Sequence, residues 1–132
     1  MKEIEVKVKT RASVKDVWSA WRKKHRQEHG KGSFKQGFVG KSQFGGKAAF
    51  FEVSNIEENK SFTILWKAFF VKLFFTHTAE PATKGTELTY KAQFKGIFAP
   101  LVYWRVGKKL RQQMEDSMHQ FVYALENKIP FR

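Results

Sequence analysis

The chain has 132 residues, 42% of them hydrophobic and 16% aromatic, with 14 Phe and 4 Trp. That suffices for one domain around one core and is too little for two. With only 3 Pro and no polar tract, long disorder is excluded, and with no Cys so are disulfides and thiolate chemistry. The 25 Lys and Arg outweigh 12 Asp and Glu, for a formal charge of +13. The excess is spread along the chain: 10 basic and 4 acidic side chains in residues 1–31, 9 and 5 in 32–95, 6 and 3 in 96–132. Such a field attracts anionic partners such as nucleic acid, an acidic membrane surface or a carboxylated or phosphorylated ligand. A lysine-rich solvated surface that only aids solubility has the same composition.

Met1 to Val6 lacks the apolar run of a secretory leader. The richest apolar stretch, 68–75, is interrupted by Lys72 and far too short for a transmembrane segment. Together with the missing Cys, this is the pattern expected of a cytoplasmic protein.

Ile4, Val6 and Val8 alternate with Glu3, Glu5, Lys7 and Lys9, which predicts a first strand with one wet face. Ser13-Val14-Lys15-Asp16 is a helix start, with a hydroxyl to accept an orphan N–H and an acid near the positive end of the dipole. Val14, Val17, Trp18, Trp21 and His25 follow at helical spacing until Gly30-Lys31-Gly32. From Phe34 to Phe94 the pattern reads as consecutive hairpins. Phe34, Phe38 and Phe44 share one parity, Gly45-Gly46 is a two-residue turn signal, and Ala49, Phe51 and Val53 continue beyond it. Glu57 to Lys60 is the next turn, before Phe62, Ile64 and Trp66. Phe69, Val71, Leu73, Phe75, His77 and Ala79 share a face, and Glu80 to Gly85 turns the chain into a last strand with Leu88, Tyr90, Ala92 and Phe94 inward. Phe70 and Phe74 fall on the opposite parity. Either they are exposed, as at a dimer or membrane contact, or a bulge reverses the register.

After Gly96 the period changes to that of a helix. Leu110, Met114, Met118, Phe121 and Leu125 share one stripe, Pro100 suits the first turn, and Gly107 marks a bend or a close approach. The order is strand, helix, about five strands and a long helix, an α+β domain with a meandering antiparallel sheet.

That order and three local stretches resemble the START-like, polyketide cyclase-like helix-grip superfamily (SRPBCC). Val8 to Trp21 is similar to its first strand and aromatic-bearing first helix, and Glu52 to Trp66 to its central hairpin. Glu80 to Tyr90, with Gly85-Thr86, is similar to the turn before its last strand. The resemblance covers nearly the whole chain, with six strands countable where the family usually has seven. It implies one helix-grip domain over residues 1–132, its curved antiparallel sheet of six to seven strands wrapped around a long C-terminal helix. It further implies a hydrophobic cavity between sheet and helix. Members bind lipids, polyketides or other apolar molecules, some cyclise or dehydrate them, and others are interaction modules.

The residues expected to line such a cavity are Trp66, His77, Tyr90, Tyr103, Met114 and Phe121, large side chains with a few polar groups among them. For Met114 and Phe121 ordinary core packing is the stronger of the two readings. His77 shares parity with apolar neighbours and is the most informative polar candidate for orienting a ligand or moving a proton, although a strand-end histidine bonded to backbone or water is the commoner case and no carboxylate is placed to pair with it. His25-Arg26-Gln27-Glu28-His29 spells the H-x-x-E-H of some zinc peptidases, but the run is cationic, Gly30 ends the helix at once and no third ligand follows. No metal or cofactor is therefore expected. Arg105, Lys108, Lys109 and Arg111, with Arg22 to Arg26, form a candidate basic rim. The function these readings support is binding of a hydrophobic, in some forms anionic, small molecule or lipid. The alternatives are a basic module for nucleic acid or an acidic protein, and a small cyclase or dehydratase using His77 or Tyr90.

Overall fold

The computed structural model describes residues 2–44, 47–68 and 71–127; of residues 42–44, 47, 48 and 68 it describes the backbone alone. The turn expected at Gly45-Gly46 and the positions of Phe69 and Phe70 lie outside the described residues. In chain order the elements are β1 (Lys2–Thr10), α1 (Val14–His29), β2 (Val39–Phe44), β3 (Lys47–Glu57), β4 (Ser61–Ala68), β5 (Val71–Ala82), β6 (Gly85–Lys95) and α2 (Ala99–Glu126). The six strands form one antiparallel sheet in the order β1-β6-β5-β4-β3-β2. Only β1 departs from the meander, because α1 carries the chain away before β2 and the last strand returns to pair with the first. A curved sheet closed by a long C-terminal helix is the helix-grip architecture.

Local chemistry explains the element ends. Ser13 caps α1, its Oγ accepting from Asp16 N at 3.1 Å, and Gly30 closes it at φ 103° with its N–H donating to Arg26 O. The alternating residues fall where parity placed them: Ile4, Val6, Phe51, Val53, Phe62, Ile64, Leu73, Phe75, Leu88, Ala92 and Phe94 are all buried. Ser54 is the extra residue of a bulge in β3, where the register shifts between Val53 and Asn55. It returns Ile56 to the inner face, opposite Phe62.

Three expectations are modified. β2 begins at Val39, not Phe34; Phe34 and Phe38 lie in the connection after α1 and still turn their rings onto Trp18, Phe62 and Phe51. The turn between β5 and β6 is only Thr83-Lys84, since Ala82 pairs with Gly85 and Pro81 with Thr86. Pro81 is tolerated because β4 pairs with β5 only as far as Thr78, leaving that margin of β5 unpaired. Along its described length β5 keeps an unbroken register, so no bulge rescues Phe74. Its ring lies on the outer sheet face, paired with Leu65 and covered by Lys95 Nζ at 4.7 Å.

One corner ties first strand, first helix, last strand and last helix together. Thr86, fully buried, donates from Oγ1 to Ala12 O at 2.7 Å. Thr10 Oγ1 donates to Glu126 Oε2 at 2.8 Å, and Arg11 N donates to the same oxygen at 3.0 Å. The Arg11 N–H, then the Thr10 hydroxyl, hold the Glu126 carboxyl below its ordinary range. Gly85 makes the corner possible: at φ 144°, a Cβ would run into the Thr10 carbonyl oxygen and the Arg11 backbone. Gly107 is different. A Cβ there would meet the Tyr103 ring at 3.5 Å, an ordinary contact, so no close approach demands glycine.

Gly85→Ala should therefore destabilise the protein by about 3 kcal/mol, from backbone strain and a clash that no side-chain rotation relieves. Urea unfolding measures it, and a loss under about 1 kcal/mol would show that the corner yields.

Candidate functional site

Between the inner sheet face and the two helices lies a cavity of about 360 Å³. Its floor is a stack that runs across three adjacent strands. Phe62 on β4 faces His77 on β5, which faces Tyr90 on β6. The Phe62 and His77 rings are nearly parallel at 4.6 Å, and those of His77 and Tyr90 lie 4.1 Å apart at 24°. Directly opposed positions on neighbouring antiparallel strands bring flat side chains to this spacing. Ile64, Phe75 and Trp66 extend the floor, and Trp66 leans on Phe51 at 5.3 Å.

The walls come from the helices. α1 presents Trp21, His25 and His29, and α2 presents Leu110, Met114, Met118 and Phe121. Trp21 stacks on Phe121 at 5.9 Å, joining the helices at one end, and also meets His77 edge-on at 5.4 Å. Lys24, Glu28, Gln113 and Ser117 line the cavity where α1 and α2 face solvent, with Lys24 Nζ 3.7 Å from Glu28 Oε1. The mouth is thus polar and the interior apolar apart from imidazoles and one phenol.

Those interior groups are electrostatically quiet. Burial lowers the His77 pKa to about 3, with help from the Lys24 and His25 charges. His25 is lowered to about 4, by burial first and then by His29, against a backbone hydrogen bond at Ser33. Burial pushes the Tyr90 phenol upward. All three are neutral at pH 7. His77 Nδ1 and His25 Nε2 are sealed and have no hydrogen-bond partner among the described residues, although both rings border the cavity. Buried polar atoms are seldom left so.

Of the six residues expected at the site, Trp66, His77, Tyr90, Met114 and Phe121 border this one volume. Tyr103 does not. It packs edge-on against Phe94 at 5.5 Å, under Lys2 Nζ, where α2 crosses β1 and β6. Sequence reasoning overlooked Phe51, Phe62, Ile64, Phe75, Leu110 and Met118, all on the same parities and stripe, and Trp21 and His25, on the inner face of α1. In the H-x-x-E-H run the His25 and His29 rings lie 4.7 Å apart and Glu28 Oε2 is 3.7 Å from His29 Nε2, but both rings pack against Phe51, and Glu28 also reaches Lys24. Among the described residues no three His, Asp or Glu side chains are grouped to hold a metal ion.

No protein-family profile and no curated protein matches the chain by sequence. Solved structures do match by shape. DynU16, a protein of the dynemicin biosynthetic locus, superposes with a TM-score of 0.74 at 19% identity; the match covers 96% of this chain and 48% of DynU16, so the chain spans about half its length. The Aha1 dimer from Colwellia psychrerythraea matches at 0.69 and 16% identity over 96% of this chain and 97% of that one. Ara h 8.0201 matches at 0.66 and 14%, covering 97% of each. Likeness at these identities is a likeness of fold, and this chain has the helix-grip fold.

Because the folded His77 pKa lies below its ordinary value, the unfolded chain takes up that proton first as pH falls. Stability from the neutral ring is complete above about pH 6.5 and drains away toward pH 3. His77 should contribute about 2–3 kcal/mol to the drop in unfolding free energy between pH 7 and 4.5, beside a similar contribution from His25. His77→Phe, which keeps the stack, should remove about half of the combined slope; a variant as pH-sensitive as the parent contradicts the sealed imidazole.

Proposed function

We propose that the protein binds a hydrophobic small molecule between its sheet and α2. The observation that carries this reading is the cavity of about 360 Å³, floored by the Phe62–His77–Tyr90 stack and bordered by two imidazoles with unpartnered nitrogens. A core built only for stability fills such a volume, because each unfilled methylene-sized space costs about 1 kcal/mol. Small-molecule sites have these features instead: concave, mainly apolar, with a few polar groups to set orientation.

The stack also favours a ligand shape. A flat ring system can lie on the Phe62, His77 and Tyr90 faces and meet Trp21 and Phe121 beyond them. A hydroxyl or carbonyl on it would find His25 and His77, since a half-turn about χ2 exchanges the sealed edge of an imidazole for the other. An anionic substituent would be drawn to Lys24 at the mouth, where it competes with Glu28.

The chemistry speaks for binding rather than turnover. A base works best with a pKa near the operating pH, and the His77 ring is far below that while the Tyr90 phenol holds its proton more tightly than usual. Both are suited to neutral hydrogen bonds and poorly to proton transfer.

Binding of 1-anilinonaphthalene-8-sulfonate, a flat apolar anion, tests the reading. The parent should bind one molecule with enhanced fluorescence. Leu110→Trp, which pushes an indole into the cavity from a half-buried wall position, should weaken it by about tenfold or more. Equal binding by a folded Leu110→Trp variant would place the dye elsewhere and sink the proposal.

A further inference from the structure

At the other end of α2, away from the cavity, the chain leaves β6 and turns into the helix through Gly96-Ile97-Phe98. Here the protein exposes apolar side chains that its core does not use. Ile97 is 79% exposed, Phe98 46%, Leu101 58% and Trp104 79%. At 100° per residue Leu101 and Lys108 fall on the side of α2 turned away from Ala99, Gly107 and Met114, which face the sheet, and Trp104 lies beside them on the helix flank. Isolated exposed apolar residues are normal, but four gathered at one elbow mark a contact.

The surrounding charge is of one sign. Residues 96–111 carry Arg105, Lys108, Lys109 and Arg111 and no Asp or Glu. The first turn of α2 likewise has no acidic residue, so its partial positive charge adds to theirs. Lys2, paired with Phe94 in the neighbouring strand, reaches over Tyr103 at the same end. The nearest acid on that strand, Glu3, is turned to Gln93 on the outer face.

We propose that this β6–α2 elbow docks the protein on the interface of an anionic lipid bilayer. Tryptophan with aliphatic neighbours prefers the boundary between headgroups and acyl chains, and flanking Lys and Arg are held by anionic headgroups. The alternatives fit less well. A second copy would bring two acid-free, basic elbows of a chain carrying +13 against each other. Nucleic acid would accept the charges and could stack on Phe98 or Trp104, but it would leave the aliphatic Ile97 and Leu101 without a partner. A rigid acidic protein would need a groove matched to a projecting elbow, whereas a bilayer conforms to it. This surface is independent of the cavity, and neither reading requires the other.

Co-sedimentation with vesicles of phosphatidylcholine, with and without about one-third phosphatidylglycerol, tests it. The protein should bind the anionic vesicles and leave the zwitterionic ones in solution. The double variant Leu101→Ser, Trp104→Ser, which changes no charge and no buried side chain, should lose at least about tenfold in partitioning. Lys108→Gln and Lys109→Gln should each cost about fivefold. Vesicle binding undiminished in the double variant would reduce the effect to diffuse charge and overturn the proposal. So would failure to bind anionic vesicles. A duplex DNA complex, or a dimer in sedimentation equilibrium, that the double variant abolishes while vesicle binding persists would assign the elbow to that partner instead.

Discussion

Most of this structure follows from the corner where Thr86, Thr10 and Glu126 meet. The Thr86 hydroxyl holds the link between β1 and α1, and the Glu126 carboxylate fastens the end of α2 to the same link. With its C-terminal end anchored there, α2 runs back over β1 and β6, and its N-terminal half packs tightly through Tyr103 on Phe94. α1 leaves the same corner and lies against β5 and β6. The helices touch through Trp21 and Phe121. Beyond that contact neither covers the sheet completely, and the uncovered area is the cavity floor. The cavity is thus a consequence of where two helices are tethered.

The same geometry separates two surfaces on one helix. From Leu110 to Phe121, α2 is a wall whose apolar stripe faces the aromatic stack. From Ala99 to Lys109 its inner side packs on the core, and its outer side and flank carry Leu101, Trp104 and the basic residues. Burial does the electrostatic sorting as well. His77 and Tyr90 are kept neutral beneath the helix, while the excess of positive charge stays on the outside, where water and counterions screen it.

Much of this was legible in the sequence. Period-two alternation in Leu88 to Phe94 and the stripe from Leu110 to Leu125 gave the inner face of β6 and of α2, and the Gly85-Thr86 pair marked the corner. Parity says which face a side chain takes, but not how far across a sheet the covering helix lies. Tyr103 shares the α2 stripe with Met114, yet it packs where the helix still touches the sheet. The aromatic stack was hidden for a similar reason: it requires the register of three strands, Phe62 to His77 to Tyr90, which no single strand reveals. Phe34 and Phe38 reached the core from a loop because hydrophobicity drives burial whether or not the backbone is a strand. Trp104 was ambiguous in the sequence, since a helix period with apolar residues on several faces does not name the buried one.

The central claim is that the volume between the stack and α2 receives a ligand. Intermolecular NOEs between 1-anilinonaphthalene-8-sulfonate and methionine methyl groups examine it most directly, because the chain has only three methionines. Met114 and Met118 line the cavity. The account predicts NOEs from the bound dye to the Met114 and Met118 methyls, together with shifts of the Trp21 indole. NOEs confined to Met1, or dye contacts only at the exposed Trp104, would contradict it.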